Sequence, residues 1–353
     1  MNEKIAIINH YDLLASIGIY SLALSEALGE RATLYSLSPR KSKSDKNVLE
    51  YPGIQFEGFF PEKMGLHAFN QIIPSFSYQE LKKKIKSIKM DGGITHYSSS
   101  LMLPIEPSEN NVVSIHDIIF IKETGKDAPF LQRKYFEFAL RKYVKYDYII
   151  TPTEVVKSEL IDYGVNGDIT AIPYGTAPLF YPIENRVEIK KKLSLPLDKK
   201  LILSISTNVA RKNLATVEKV MESLGPDFRL VRVGSQVGNS ITFPSAFGNK
   251  LNEIYNACDL LLFPTLDEGL GYPLIEAFAT SLPVVTSNIP VCIEICKNSA
   301  RYVEPMNPHS VIEGIKDVIN NIGEYQSMIS KMAPLYSMER FSKRINSFYS
   351  NIK

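Results

Sequence analysis

The stretch of sequence that decides the fold is "DEGLGYPLIEAFATSLPVV", residues 267–285. Just before it, "ACDLLLFPT" is an apolar run that predicts a buried strand ending near Phe263. Pro273 suits the first turn of a helix, and Pro283 ends that helix before a second strand, "PVVTS". The pattern therefore predicts a strand, a glycine loop, a helix and another strand.

The glycine loop lies between the carboxyl end of a strand and the amino end of a helix. Free backbone N–H groups and the positive end of the helix dipole collect at such a place, so an anion such as a diphosphate is the natural ligand. The glycines let the backbone approach that anion closely. The residues predicted to line the phosphate are Gly269, Leu270, Gly271 and Tyr272.

Two acids in the same stretch indicate more than a phosphate. Glu268 enters the loop, and we place Glu276 in the first turn of the helix. A carboxylate repels a phosphate but accepts hydrogen bonds well from sugar hydroxyls, so the expected ligand is a nucleotide sugar. The alternative is a glycine turn in which Glu276 completes an N-terminal cap, and this segment alone leaves both interpretations open.

The composition is that of an ordinary globular protein. With 353 residues, of which 44% are hydrophobic and 22% charged, the chain is long enough for two domains with separate cores. A net charge of +2 is too small to indicate nucleic-acid binding. The amino terminus enters a strand without a leader, and no apolar run reaches membrane-spanning length, so we expect a soluble protein.

The cysteines favour a cytoplasmic location. Cys258, Cys292 and Cys296 are odd in number and lack the spacing of a disulfide framework, which is typical of proteins in a reducing compartment. Although the last two are four residues apart, no second pair or histidine follows them, so we do not expect a metal site.

Strands and helices alternate in both halves of the chain, which predicts parallel sheets with helical crossovers. The periodicity breaks in "IPYGTAPLFYPIENRVEIKKK", residues 172–192, which contains glycine, prolines and a run of charges. We therefore expect an α/β protein with two Rossmann-like, doubly wound domains, 1–181 and 182–337, that face each other across a cleft. Ligands of such domains bind at the carboxyl ends of the strands.

Two cations follow the first strand of the second domain. In "SISTNVARKN" that strand ends near Ser206, and Arg211 and Lys212 follow before a helix that starts near Asn213. An isolated Arg-Lys pair is more often a pair of surface cations. Here its place at the carboxyl end of a strand favours neutralisation of the predicted diphosphate.

The first domain offers fewer candidates. Gly18 follows the first strand and opens a helix, but the full G-x-G-x-x-G pattern of a dinucleotide site is missing. His116 and Asp117 end the apolar strand of "VVSIHDIIF", where a histidine has either a structural or a functional role.

Several segments, taken in order, resemble glycosyltransferase family 4, the retaining enzymes of the two-domain GT-B type. The segments are "SIHD", "YDYIITPTEVVKSEL", "IPYGTAPLFYP", "ARKN", "LNEIYNACDLLLFPTLDEGLGYPLIEAFATSLPVVTS", "IEICKNSARYVEP" and "YSMERFSKRI". The resemblance covers nearly the whole chain, and the E-x7-E core with its flanks is its most specific part.

The resemblance implies a role for each candidate in the second domain. Glu268 would contact the hydroxyls of the donor sugar, and Glu276 those of the nucleotide ribose. Backbone N–H groups of residues 269–272 would bind the sugar and the diphosphate. Lys212, helped by Arg211, would stabilise the diphosphate as it leaves.

In the first domain, the resemblance implies that His116 lies by the sugar and its anomeric centre, and that Gly18 approaches the diphosphate or the acceptor. A closing helix, 338–353, would pack back onto this domain. Departures from the family pattern weaken the assignment of the donor. Many relatives have an arginine where this chain has Ser206 and Thr207, and Met338 replaces a common indole.

The implied reaction is retaining transfer of a hexosyl group, with mannose or glucose favoured, from a nucleotide diphosphate sugar to a glycan, a lipid-linked or a small-molecule acceptor. The sequence contains no Asp-x-Asp pair, so we expect neither a metal nor another cofactor. A sugar-nucleotide epimerase, a sugar phosphorylase and a non-catalytic partner subunit with the same fold remain alternatives.

One segment bears on where the protein works. Five lysines between residues 82 and 89 lie mostly on one side of a possible helix, with apolar residues on the other. Such a run usually marks a solvated helix face. The second interpretation is peripheral contact with an anionic membrane that brings the enzyme to a lipid-linked acceptor.

Overall fold

The chain folds into two α/β units, each built on its own parallel sheet. This computed structural model describes residues 4–9, 13, 16–36, 54–56, 93–100, 111–122, 130–143, 146 and 148–352. The first unit comprises Met1–Tyr174 with Phe341–Lys353, and the second comprises Gly175–Arg340. The division falls a few residues before the predicted boundary at Tyr181.

The first unit contains a seven-stranded sheet with the strand order β3-β2-β1-β4-β5-β6-β7. Every pair of neighbouring strands is parallel. The order reverses direction between β1 and β4. Its elements are β1 (Ile5–Asn9), α1 (Ser16–Leu28), β2 (Ala32–Ser36), β3 (Ile54–Phe56), β4 (Ile94–Tyr97), β5 (Asn111–Ser114), α2 (Phe130–Tyr143), β6 (Tyr148–Thr151), α3 (Glu154–Asp162) and β7 (Asp168–Ala171).

The second unit contains a six-stranded parallel sheet with the order β10-β9-β8-β11-β12-β13. Its order reverses between β8 and β11. Its elements are α4 (Arg186–Lys192), β8 (Lys200–Ile205), α5 (Leu214–Leu224), β9 (Phe228–Val233), β10 (Ile241–Phe243), α6 (Gly248–Ala257), β11 (Leu260–Phe263), α7 (Tyr272–Ala279), β12 (Val284–Ser287), α8 (Pro290–Cys296), β13 (Arg301–Val303), α9 (Pro308–Asn320) and α10 (Ile322–Ser330).

The strand and helix predicted around the glycine loop are confirmed. β11 ends at Phe263, Pro273 lies in the first turn of α7, and β12 covers the apolar residues after Pro283. Both strands are buried along their whole length, as expected for a parallel sheet with helices on its faces. One face of the sheet packs on apolar side chains of α5 and α9, which include Val217, Val220, Ile315 and Val318.

The last helix, α11 (Met338–Asn351), packs on the first unit. The Ser342 hydroxyl and the Asn346 amide donate hydrogen bonds to the Ala27 carbonyl at 3.0 and 2.9 Å, and Arg31 donates to Asn346 at 3.2 Å. The buried face of the helix consists of Phe341, Ile345, Phe348 and Tyr349. Hydrogen bonds and apolar packing therefore hold the carboxyl end of the chain against helix α1.

The lysine-rich segment 82–89 lies outside the described residues. Within the described ranges, none of the helices combines the length and the apolar character needed to cross a bilayer.

Candidate active site

The predicted site residues of the second unit lie on two loops that leave neighbouring strands. One loop, residues 206–213, follows β8, and the other, residues 264–271, follows β11. The strand order of the sheet reverses between these two strands. This is the usual ligand-binding position of an open α/β sheet.

Hydrogen bonds tie the two loops together. The Leu266 N–H donates to the Arg211 carbonyl at 2.7 Å, and an Arg211 guanidinium nitrogen donates to the Asp267 carbonyl at 3.0 Å. The Asn213 amide donates to the Pro264 carbonyl at 3.1 Å. Asn213 also adopts a left-handed backbone conformation, with φ of 56°, directly before α5. The loops thus form one cross-linked structure in which Arg211 serves as both donor and acceptor.

Glu268 is the centre of a charged cluster. The residue is 8% exposed. Its Oε1 forms a short ion pair with the Lys212 ammonium and lies 3.3 Å from both an Arg211 guanidinium nitrogen and the Thr265 hydroxyl. Burial acts to raise the pKa of Glu268, but the two cations and the hydrogen bonds outweigh it, so the pKa lies below its ordinary value. Glu268 is therefore ionised at neutral pH.

The charged cluster of Arg211, Lys212 and Glu268 carries one net positive charge, because two cations face one carboxylate. The Lys212 ammonium also lies 5.2 Å from the centre of the Phe263 ring, a cation–π distance. The cluster suits an incoming anion, which could share the cations with Glu268. The two cations and Glu268, predicted as separate contacts to a ligand, thus pair with one another in this structure.

The start of α7 has the geometry of an anion site. Gly271 has a φ of 82°, and a Cβ there would lie 3.2 Å from atoms of Leu274 and Phe263, so the position requires glycine. No side chain of the described residues caps this helix. Within the described part of the chain, the backbone N–H groups of Leu270 and Gly271 have no acceptor. Unpaired N–H groups at a helix amino terminus favour a phosphate.

Glu276 differs from the prediction in its position. Because α7 begins at Tyr272, Glu276 lies in the second turn and not in the first. The interpretation of Glu276 as an N-terminal cap is also wrong, since its carboxyl accepts from the Tyr255 hydroxyl and, among the described residues, the Gly271 N–H has no acceptor. The Glu276 side chain is buried on one face of α7. The sequence pattern placed it one helical turn closer to the start of the helix.

The Glu276 carboxyl has one partner among the described residues, the Tyr255 hydroxyl, which donates to Oε2 at 2.6 Å. Burial raises the pKa of Glu276 to about 7, and the Tyr255 hydrogen bond offsets only part of that effect. Sequence reasoning missed Tyr255. Its helical spacing in α6 indicated a buried face, but no sequence signal pointed from that face to Glu276.

In the first unit, His116 follows β5 and is bonded through both ring nitrogens. Nε2 donates to the Ser98 carbonyl at 2.7 Å, which assigns the proton to Nε2, and Nδ1 accepts a short hydrogen bond from the Tyr174 hydroxyl. Burial lowers the pKa of His116 to about 4, although the Ser98 bond acts in the opposite direction. His116 is therefore a neutral, fixed imidazole at physiological pH.

The other first-unit candidates lie at the same sheet edge. Gly18 is buried in the first turn of α1, two residues before Tyr20. The Tyr20 ring makes an edge contact with the His116 ring, with 5.1 Å between the ring centres. The Asp117 carboxylate accepts a hydrogen bond from the Ile119 N–H at 3.0 Å and so stabilises the turn that follows. Tyr20 thus connects the helix that Gly18 opens to His116.

A chain of buried hydrogen bonds that the sequence did not predict runs beneath this edge. The Tyr20 hydroxyl and the Ser114 hydroxyl lie 2.7 Å apart, the Ser114 hydroxyl lies 2.7 Å from His96 Nε2, and His96 Nδ1 lies 2.5 Å from the Tyr349 hydroxyl on α11. Burial, helped by His116, lowers the pKa of His96 to about 3. All four groups are neutral at pH 7.

The described residues contain neither a candidate metal site nor a disulfide. In the portion of the chain that the structure describes, no three His, Cys, Asp or Glu residues are grouped so that they could hold a metal ion. The three cysteines are unpaired and buried, as predicted.

Comparison with known proteins identifies the chemistry. Residues 185–334 match the family described as "Glycosyl transferases group 1". The chain is 24% identical over 277 residues to the O-antigen chain mannosyltransferase RfbU of Salmonella typhimurium, and the alignment covers 73% of each protein.

Solved structures with a similar fold cover almost the whole chain. The sucrose-phosphate synthase of Thermosynechococcus elongatus superimposes with a TM-score of 0.78 at 17% identity and covers 99% of this chain and 98% of its own. Anabaena HepE in complex with UDP-glucose gives a TM-score of 0.77 at 12% identity and covers 99% of both chains.

The fold is therefore GT-B, as predicted, with two doubly wound α/β units. The chain is a glycosyltransferase, because the matched domain and the curated relative share that activity class.

Proposed function

We propose that this glycosyltransferase is a retaining enzyme of family 4 that transfers a hexosyl group from a nucleotide diphosphate sugar. The observation that carries the proposal is the charged cluster of Arg211, Lys212 and Glu268 at the strand-order reversal of the second sheet. It lies beside the N–H groups of Leu270 and Gly271, which have no acceptor among the described residues. The cluster and the N–H groups together offer an anion site with an ionised carboxylate beside it.

Lys212 and Arg211 stabilise the leaving group in this proposal. Cleavage of the bond between the anomeric carbon and the diphosphate builds negative charge on the phosphate oxygens. Lys212 and Arg211, already fixed by Glu268 and the neighbouring loop, stabilise that charge without having to reorganise. The N–H groups of Leu270 and Gly271 add two further donors at the helix amino terminus.

The two glutamates accept hydrogen bonds from hydroxyls of the donor in this proposal. Glu268 is ionised, so it accepts hydrogen bonds from the hydroxyls of the sugar once the diphosphate shares its cations. Glu276 keeps Oε1 without a partner among the described residues and is oriented by Tyr255, which leaves one oxygen to accept from the ribose hydroxyls. These roles match those implied by the family resemblance.

Neither glutamate is the nucleophile in this proposal. With retention, the acceptor hydroxyl attacks the anomeric carbon on the face that the diphosphate leaves, and the departing phosphate takes the acceptor's proton. The protein then needs groups that position and stabilise. Glu268, held between two cations, suits such a role because its charge is already compensated.

The first unit serves the acceptor side in this proposal, with Gly18 as its candidate contact and His116 as a positioning residue. Because His116 is neutral and both of its nitrogens are bonded to protein groups, it exchanges no proton at neutral pH. Its contribution is to fix the backbone that follows β5, next to the helix that Gly18 opens.

The transferred sugar is mannose or glucose, supported respectively by the mannosyltransferase RfbU and by the UDP-glucose complex of HepE. The acceptor is a glycan, a lipid-linked sugar or a small molecule. We place the reaction in the cytoplasm, in line with the three unpaired cysteines, with residues 82–89 as a candidate for peripheral membrane contact. No metal or other cofactor takes part.

The test is incubation of the purified protein with GDP-mannose, GDP-glucose, UDP-glucose or UDP-galactose, in the presence of EDTA and without an acceptor. We expect slow release of the nucleoside diphosphate from one donor, since water can replace the acceptor in a glycosyltransferase. NMR of the released sugar, recorded before it mutarotates, then gives the anomeric configuration.

Three results would contradict the proposal. An isomerised nucleotide sugar would indicate an epimerase, and cleavage of an oligosaccharide that requires inorganic phosphate would indicate a phosphorylase. Nucleotide-sugar binding without turnover, even with acceptor mixtures, would indicate a non-catalytic partner subunit.

A further inference from the structure

Arg232 is a buried cation that none of the roles above uses. It lies near the carboxyl end of β9 and is fully buried. Its guanidinium donates to the Ser204 carbonyl at 2.9 Å, to the Ser206 hydroxyl at 3.0 Å, and, at shorter distances, to the carbonyls of Ser206 and Val233. All of these partners are neutral.

A structural role alone does not account for a charge at this position. Burial lowers the pKa of Arg232 to about 10, so the guanidinium stays charged at neutral pH. Its Nε has no acceptor within the described ranges, and its hydrogen-bond partners there include no carboxylate. A buried charge without a counter-ion is costly, and an apolar side chain of similar volume usually fills such a position at lower cost.

The position of the guanidinium relates it to the candidate active site. Ser206 is the first residue of the loop 206–213, which carries Arg211 and Lys212. The hydrogen bonds from Arg232 therefore fix the start of the loop, just as the Leu266 N–H fixes Arg211 near its end. The loop that carries these two partly buried cations is thus anchored by a third cation, which is fully buried.

The local backbone is shaped around this guanidinium. Gly234 follows β9 with a φ of 126°. A Cβ at this position would lie 2.3 Å from the Ser206 carbonyl oxygen and 3.0 Å from a terminal nitrogen of Arg232. Only glycine leaves room for the side chain and the carbonyl together, so the end of β9 is built to hold this contact.

We propose that Arg232 is a positioning residue of the donor site, which holds the 206–213 loop in place and adds a buried positive charge behind the diphosphate. The inference rests on the proposed function, because the diphosphate of the donor would be the counter-ion that the described residues do not supply to the buried guanidinium. In a poorly solvated site, that charge acts over a longer distance than it would in water.

The experiment measures binding of inorganic pyrophosphate to the full chain by calorimetry. It compares the wild type with Arg232→Lys, which keeps the charge, Arg232→Gln, which keeps hydrogen-bond donors only, and Arg232→Met, which keeps neither. Arg229→Met is the matched control, because Arg229 lies on the same strand and its guanidinium donates to Asn239 at an exposed position. The melting temperature without ligand checks that each variant is folded.

We expect Arg232→Gln and Arg232→Met to weaken pyrophosphate binding roughly tenfold, the size of one lost interaction with a charged group. Arg232→Lys should stay closest to the wild type, and Arg229→Met should match it. A merely structural role would be shown by equal binding of the Lys and Gln variants, or by wild-type affinity in all three, and either result would overturn the inference. If Arg232→Met does not fold, the comparison of Arg232→Lys with Arg232→Gln still tests whether the charge matters for binding.

The result also separates this inference from the proposed function. If Lys212→Ala loses pyrophosphate binding while the Arg232 variants keep it, the result supports the proposed donor site and contradicts the proposed role of Arg232. If the wild type binds neither pyrophosphate nor any nucleotide sugar, the proposed function and the proposed role of Arg232 are both contradicted.

Discussion

The polar groups buried at the carboxyl edges of the two sheets differ in charge. In the first unit the buried groups are neutral hydroxyls and imidazoles, exemplified by Ser114 and His96. In the second unit they include ions, exemplified by Glu268, which pairs with the partly buried Lys212. Both are parallel sheets in which the strand order reverses once, so the difference comes from the side chains. A charged edge suits an anionic ligand, whereas a neutral edge suits uncharged hydroxyls.

Within the second unit, the same contrast separates the two glutamates. Both are buried to a similar degree, yet the pKa of Glu268 lies below its ordinary value while burial raises that of Glu276 to about 7. Burial opposes ionisation in both cases. The outcome differs because Glu268 has two cations within ion-pair distance, whereas Glu276 has, among the residues that the structure describes, only the hydroxyl of Tyr255.

The largest effect should follow from removing the central cation of the charged edge. We expect Lys212→Ala to lower turnover about 100- to 1,000-fold, because the departing diphosphate loses a fixed donor. Steady-state release of nucleoside diphosphate measures it. Lys219→Ala, an exposed lysine on α5, is the matched control and should keep wild-type turnover. Turnover within threefold of wild type for Lys212→Ala would contradict our division of the molecule into a charged and a neutral edge.

The second prediction concerns the pH dependence of stability. Glu276 keeps its proton up to about pH 7 in the folded protein but loses it near pH 4.5 in the unfolded chain. The folded state therefore holds an extra proton between these values, and the stability that this provides is present below about pH 4.5 and lost as the pH rises through 7.

Glu276→Gln removes this effect, since glutamine stays neutral. We expect the variant to gain stability relative to the wild type as the pH rises, reaching roughly 3 kcal/mol near pH 8. Urea unfolding at several pH values measures the difference. Glu268→Gln should do the opposite and destabilise the protein near pH 8, because it leaves Arg211 and Lys212 without their carboxylate. A pH-independent difference for Glu276→Gln would show that burial does not raise its pKa.

The third prediction tests the neutral edge. Ser114→Ala removes the hydroxyl between Tyr20 and His96 and leaves two buried polar groups without that partner. We expect a loss of about 2 kcal/mol in the free energy of unfolding, with little change in turnover per folded molecule. Ser223→Ala, on the exposed face of α5, is the control for loss of a serine hydroxyl. A large loss of turnover at unchanged stability would place Ser114 in the chemistry itself.

The smallest effect concerns Tyr255. Its hydrogen bond to Glu276 lowers the pKa of that carboxyl, so Tyr255→Phe should raise the pKa further and cost about 1 kcal/mol of donor binding at neutral pH. If the ionised form of Glu276 binds the ribose, binding should recover at higher pH. Donor affinity measured between about pH 6 and 9 checks this, with Tyr181→Phe, an exposed tyrosine, as the control. Equal affinity at all pH values would remove Tyr255 from the site.

The sequence by itself determined the local design of the donor site. The apolar run before residue 264, the glycines that follow and Pro273 predicted a strand, a loop and a helix, and all three are present. These signals are local: burial, positive φ and proline geometry act within a few residues. The short strands β10 and β13 were not predicted, because three residues are too few to show a period.

Only the tertiary structure decided which groups meet and which of them carry charge. Lys212 and Glu268 are 56 positions apart and pair because their strands are neighbours in the sheet. The contact of Tyr255 with Glu276, the tautomer of His116 and the burial of Arg232 depend likewise on packing between distant segments. Protonation depends on the local dielectric and on neighbouring charges, and neither exists until the chain has folded.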